Sequence, residues 1–291
     1  MHKNIILNEV VLREGFQNLQ SVYNSKLKLT LLDGLLQAGM RHIQLGSFVH
    51  PKILPQMADA EVLFHSAPKL NKVVYSAFIL NEQGLVRAIN CGVKKVETSI
   101  SLYEDYGFKN TGMKSDRAYE EMKRLVRLAH QHDIHIRVGL QCAWGVANEE
   151  APSADIVLSC VKKLLALDPD KICLADTAGL ATPKMVKEYL DIIIPHIGER
   201  PLVLHFHETS QGGLANIQAA LQMGVQEFDS SLGGLGGSPF MVNTTGNVAT
   251  EDVVKIMDEA GIDTGIDRLS LKETASHLKR TLQGSSLKSA I

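Results

Sequence analysis

Only four cysteines, Cys91, Cys142, Cys160 and Cys173, occur in 291 residues, and no two of them form a CxxC pair. That spacing excludes a thiolate zinc cluster and the disulfide framework of a small secreted domain, and it points to a reducing compartment. No apolar run reaches the length that crosses a bilayer, so no membrane role is expected. No excess of one charge exists either. Thirty basic residues face 32 acidic ones, for a net charge of −2, so no nucleic-acid partner is expected, while a local basic patch for a phosphorylated ligand stays open. The beginning "MHKNIILNEVVLREG" lacks a signal-peptide layout, and a cytoplasmic location is expected. Linkers, low-complexity segments and short repeats are missing too, so residues 1–291 are read as one domain.

The positive signal is alternation. Short β-branched runs occur at 5–11, 42–46, 72–78, 95–100, 135–140, 171–175, 202–206 and 227–231. Between them lie stretches with apolar residues three and four apart, such as "SKLKLTLLDGLLQAG", "YEEMKRLVRLAHQHD", "ADIVLSCVKKLLALD" and "GGLANIQAALQMG". Strands separated by helices pair in parallel. Eight such units in under 300 residues predict an α/β fold of the closed (β/α)8 TIM-barrel type. An open doubly wound sheet would carry a Gly-rich phosphate turn after its first strand, and "VLREGFQN" is not one. A short extra helical segment is expected at about 266–291, ending in a mobile polar "GSSLKS".

In such a barrel the chemistry sits at the C-terminal ends of the strands. Arg13 and Glu14 follow strand one, and Gln44 lies near the end of strand two. Asp176 follows strand six, and Asp229 ends strand eight. Strand seven runs into "LVLHFHETSQGG", where His205 and His207 share one face because side chains repeat every two residues. Asn247 stands before the last helix. His205, His207, Glu14 and Asn247 form a nitrogen–oxygen donor set without thiolate, which suits Mg²⁺ or Mn²⁺ before Zn²⁺. Arg13 offers a fork to a carboxylate or a developing oxyanion. Blander roles compete. Glu14 is placed to pair with Arg13, Asp176 to cap the helix starting near Thr182, and "GGLGG" to serve as a plain turn or a phosphate cradle. Cys142 and Trp144 read as packing.

The segments "LREGFQN", "SFVHPKILPQMAD", "LADTAGLATP", "HFHET" and "GGLGGSPF…TGNVATED" resemble, in order, the metal-dependent lyase and Claisen-condensing (β/α)8 family (pyruvate carboxyltransferase-like), in its 3-hydroxy-3-methylglutaryl-CoA lyase branch. The resemblance runs from about residue 5 to about 265. It implies that Glu14, His205, His207 and Asn247 hold a divalent cation, Mg²⁺ or Mn²⁺, and that Arg13 and Asp176 are catalytic. It implies retro-Claisen cleavage of an acyl-CoA thioester, and a homo-oligomer, a dimer, is expected. Three positions depart from the lyase pattern. Glu14 replaces an aspartate, as in the synthase branch. Gln44 replaces a glutamate, and Ser238 replaces the cysteine of the glycine loop. Gln44 and Ser238 therefore occupy catalytic positions with altered acid–base character. Two other readings stand beside the lyase: a Claisen-condensing synthase of the same family, which Glu14 favours, and a metal-binding barrel without turnover.

Overall fold

In a computed structural model, residues 5–209, 212–237 and 246–288 are described. Eight strands close into one parallel barrel in chain order: β1 (Ile6–Glu9), β2 (His42–Ser47), β3 (Val74–Phe78), β4 (Lys95–Ser101), β5 (His135–Gln141), β6 (Lys171–Asp176), β7 (Leu202–Phe206) and β8 (Glu227–Ser230). The ring is sealed by β1 pairing with β8, Ile6 opposite Glu227 through Glu9 opposite Ser230. The predicted (β/α)8 barrel is therefore what forms.

Ten α-helices surround it among the described residues: α1 (Ser25–Gln37), α2 (Ala60–Ser66), α3 (Glu82–Asn90), α4 (Glu104–Thr111), α5 (Ser115–Gln131), α6 (Ala154–Leu165), α7 (Pro183–Ile197), α8 (Gly213–Gln222), α9 (Thr250–Glu259) and α10 (Arg268–Lys288). Local chemistry sets several starts. Asn24, Asn81, Ser153 and Thr182 each accept the backbone N–H three residues on, and Pro183 begins α7 where its missing N–H costs nothing. The core lies between the strands' outer face and the helices, where Leu35, Leu85, Leu125, Val161, Leu190 and Val253 are fully buried.

One expectation needs correction. The first strand was expected to run to residue 11 but stops at Glu9. Val11–Gly15 instead form a single π-helical turn in which the Arg13 and Glu14 amides donate to Val10 O. Glu9 Oε1 accepts the Val11 N–H at 2.9 Å and fixes this turn. Val10 and Val11 kept the run apolar because they are buried, not because the strand continues. The expected C-terminal helical segment forms, and α10 continues through "GSSLK" to Lys288. Its first half docks on α1, where Leu271 and Leu278 are buried. Gly34 permits the approach, because a Cβ there would lie 2.6 Å from Thr274 Oγ1.

Candidate metal centre and active site

The π-helical turn after β1 swings Arg13 and Glu14 over the C-terminal mouth, and both are buried. Across the mouth, His205 sits on β7 opposite Asp229 of β8. His207 lies one residue past the strand in an isolated bridge with Asn247. The two imidazoles meet edge to face, 5.1 Å between centroids. The face raised by the HxH spacing is therefore the mouth of the barrel, not solvent.

The carboxylate of Glu14 lies between them. Its Oε1 is 3.2 Å from His205 Nε2 and 3.4 Å from His207 Nε2. One ligand atom from each of the three residues lies within 4.8 Å of the others. Each imidazole is oriented through its other nitrogen. His207 Nδ1 faces the carbonyl of Asp176 at 2.8 Å, and His205 Nδ1 faces Asp229 Oδ2 at 3.1 Å. A carbonyl only accepts, so the His207 proton resides on Nδ1 and its Nε2 lone pair points at the centre. That Nε2 is buried with no hydrogen-bond partner, and so is Asn247 Oδ1, whose amide Nδ2 donates to Leu235 O at 3.0 Å. Orphaned buried acceptors beside an ionised carboxylate are what a divalent cation satisfies. The residues present therefore fit the group.

Electrostatics agree with a cation position. Burial opposes the charge on His205, but Glu14 and Asp229 outweigh it and lift its pKa to about 10. Burial likewise opposes ionisation of Glu14, and His205 with Arg13 overcomes it and holds the carboxyl well below the usual range. Without a metal the pocket thus holds a proton where positive charge is wanted.

Arg13 is held on three sides. Its Nε donates to Gln44 Oε1, its Nη1 meets Glu14 Oε2 at 2.8 Å, and its guanidinium lies 4.9 Å from the Phe78 ring centroid. Gln44 Nε2 is buried without a partner. Asp176 is placed differently from the others. Its oxygens accept the Leu180 and Ala181 amides at 2.9 and 3.1 Å, so its carboxyl caps the loop before α7 behind the cavity wall, while Thr182 caps the helix itself. Burial raises its pKa against those two hydrogen bonds. Ser238 lies outside the described residues. Its neighbour Gly237 borders the cavity, and Asn18 Nδ2 donates to the Gly237 carbonyl. Trp144 and Cys142 pack as expected, Trp144 stacked on Tyr189 with 6.1 Å between ring centroids.

The cavity above these groups measures about 510 Å³. Phe78, Leu80, Tyr106 and Leu54 give it an apolar wall, and Arg13, Glu14, His205 and His207 give it a polar one. Its floor holds two charged residues not singled out in the sequence, Glu97 and Arg137. Their signal was present: in "KVE" and "HIR" charged or polar residues flank an apolar one at a spacing of two, a face that lines the interior of a closed barrel.

Comparison with known proteins agrees with this architecture. The HMGL-like family model matches residues 4–278. The hydroxymethylglutaryl-CoA lyase of Pseudomonas mevalonii is 32% identical over 259 residues, which span 89% of this chain and 86% of that one. The mitochondrial enzyme of Gallus gallus is 34% identical, over 94% of this chain and 92% of its own. Among solved structures, hydroxymethylglutaryl-CoA lyase from Pseudomonas aeruginosa superposes with a TM-score of 0.91 at 32% identity, covering 96% of this chain and 93% of that chain. An HMG-CoA lyase from Acinetobacter baumannii, solved with coenzyme A and 3-methylmalate, gives 0.90 at 31% identity, covering 96% and 91%. With nearly its whole length matched, this chain belongs to the HMGL-like family.

Proposed function

We propose that this protein is a divalent-metal-dependent carbon–carbon lyase that cleaves a 3-hydroxy-3-methylglutaryl-CoA-like thioester by a retro-Claisen reaction. One observation carries the reading: Glu14, His205 and His207 converge within 4.8 Å, beside Arg13, at the mouth of an apolar-walled cavity. Asn247 is proposed as the fourth protein ligand because its buried Oδ1 lacks a partner. When bound, Mg²⁺ or Mn²⁺ supplies Lewis acidity and a template for the substrate's tertiary hydroxyl and free carboxylate.

The chain's own residues do the rest. Asp176, whose pKa burial raises, accepts the hydroxyl proton through a water, using the lone pairs its two amide bonds leave free. The C–O bond closes to the carbonyl of the departing oxo acid, and the electron pair of the broken carbon–carbon bond stays on the thioester as an enolate. Arg13, pinned by Gln44 and Glu14, meets that oxyanion with a preorganised charge. Ser238, or a water it holds, returns a proton to the enolate carbon, and the glycine loop at 233–237 shields the site from solvent. For the 3-methyl substrate the products are acetyl-CoA and acetoacetate.

The test is metal removal. Protein stripped by a chelator loses cleavage activity and regains it with Mg²⁺ or Mn²⁺, and His205→Ala abolishes Mn²⁺ binding with the fold intact. Full turnover by metal-free protein overturns the proposal.

A further inference from the structure

Below the metal centre the barrel interior holds a set of charges that the mechanism does not use. Arg137 on β5 donates Nη1 to Asp229 Oδ1 at 2.6 Å and Nη2 to Oδ2 at 2.9 Å, a two-point fork. The same Nη2 meets Glu97 Oε2, and Glu97 Oε1 accepts the Ser76 hydroxyl at 2.9 Å. Asn8 Nδ2 adds a further donor to Asp229 Oδ1 at 3.0 Å. Asp229 Oδ2 then faces His205 Nδ1 at 3.1 Å. Strand register dictates both lateral steps, since Glu97 pairs with Arg137 and His205 with Asp229 on adjacent strands.

Hollows flank part of this chain of groups. Glu97 and Arg137 border the cavity above and also a second one of about 290 Å³ at the N-terminal end of the barrel. Small residues, Ser99, Gly139 and Cys173, stand around the upper cavity near them. In a barrel interior filled by branched side chains, an aspartate would be wedged in position. Here hollows lie above and below Glu97 and Arg137, and the Asp229 carboxylate is held by the Arg137 fork and by Asn8.

We propose that Glu97 and Arg137 are positioning residues for the metal centre. They lock the Asp229 carboxylate, and Asp229 locks the His205 ring so that Nε2 faces Glu14 and His207. This rests on the metal-site reading above. The competing role is a structural stitch between β4, β5 and β8 with no bearing on the metal.

The experiment uses Mn²⁺ as the probe, with affinity measured by isothermal titration calorimetry and the fold by thermal melting. The double variant Glu97→Met/Arg137→Met removes the clamp without changing net charge, and it leaves Asp229 with Asn8 and His205 as its partners. Loss of an outer-sphere partner of a metal ligand weakens binding ~10–100-fold, and that fall is expected here with a cooperative melt retained. Arg137→Lys, which presents a point charge in place of the fork, is expected to fall between parent and double variant. Mn²⁺ affinity within about twofold of the parent overturns the proposal, because that lies below the effect of an orienting partner. If the double variant does not fold, Arg137→Lys decides alone: weaker Mn²⁺ binding at an unchanged melting temperature supports the clamp, and unchanged binding overturns it. His205→Ala separates the two claims. If it too leaves Mn²⁺ binding intact, the metal site itself is misplaced. If it abolishes binding while the clamp variants do not, only the clamp is refuted.

Discussion

Gly236→Ala places one methyl group against the metal centre without replacing a charged residue. The position has φ +117°, a region open to glycine and strained for alanine by ~1–3 kcal/mol. The added Cβ falls well inside 3.0 Å of Asn247 Nδ2 and 3.1 Å from the Glu14 carbonyl oxygen. The Asn247 side chain must then retreat by on the order of half an ångström, more than the ~0.2 Å tolerance of a metal–ligand distance. The same Nδ2 donates to Leu235 O at 3.0 Å, so the displacement also disturbs that bond. A ligand lost or misplaced weakens Mn²⁺ at least as much as a lost orienting partner, ~10–100-fold, or about 1.4–2.8 kcal/mol. Gly233→Ala is the control. It has positive φ, +66°, but its Cβ would meet nothing within 4 Å, so it carries strain without the push. Calorimetric titration with Mn²⁺ compares the two. Equal affinities for Gly236→Ala and the parent would refute the placement of Asn247 among the ligands.

Arg13→Lys keeps the charge and loses the fork, and turnover of the thioester falls ~10²–10³-fold; a loss under about tenfold assigns Arg13 to structure. Asp176→Asn lowers kcat ~10²–10⁴-fold if Asp176 is the base, whereas a residue that only caps its loop would cost ~0.5–2 kcal/mol of stability and leave kcat alone; stopped assays and melting curves on one sample separate these. Glu9 is fully buried, and desolvation raises its pKa from the ordinary 4.5 to about 7 against three hydrogen bonds, from Thr250, Leu232 and Val11. The unfolded chain gives up that proton at lower pH than the folded one, so stability is lost as pH rises from 4.5 to about 7, on the order of 3 kcal/mol. Glu9→Gln keeps an acceptor for both amides, so its melting temperature exceeds the parent's at pH 8 and not at pH 4; a variant less stable at pH 8 contradicts this.

The barrel was legible because each strand–helix unit announces itself by a change of period, from two to between three and four. His205 and His207 were legible for the same reason, since the period of two puts them on one face. The boundary of β1 was not, because Val10 and Val11 are as buried inside a turn as they would be in a strand. Glu97 and Arg137 escaped for a subtler reason. Polar residues alternating along a strand read as a solvated face, and only closure of the sheet turns that face inward onto the barrel axis. Asp176 shows the opposite ambiguity. Its position in "LADTAGLATP" marks the rim, but the strand's alternation turns its carboxyl into the loop while its carbonyl orients His207.

The account stands most directly on one product analysis. Purified protein, stripped and reloaded with Mn²⁺, is incubated with 3-hydroxy-3-methylglutaryl-CoA and a panel of branched 3-hydroxyacyl-CoA thioesters, and the products are identified by mass spectrometry. The account predicts paired release of an acyl-CoA and an oxo acid, acetyl-CoA with acetoacetate from the 3-methyl substrate, and no release from the His205→Ala variant. Intact thioesters across the whole panel, with Mn²⁺ bound at the site, would contradict it.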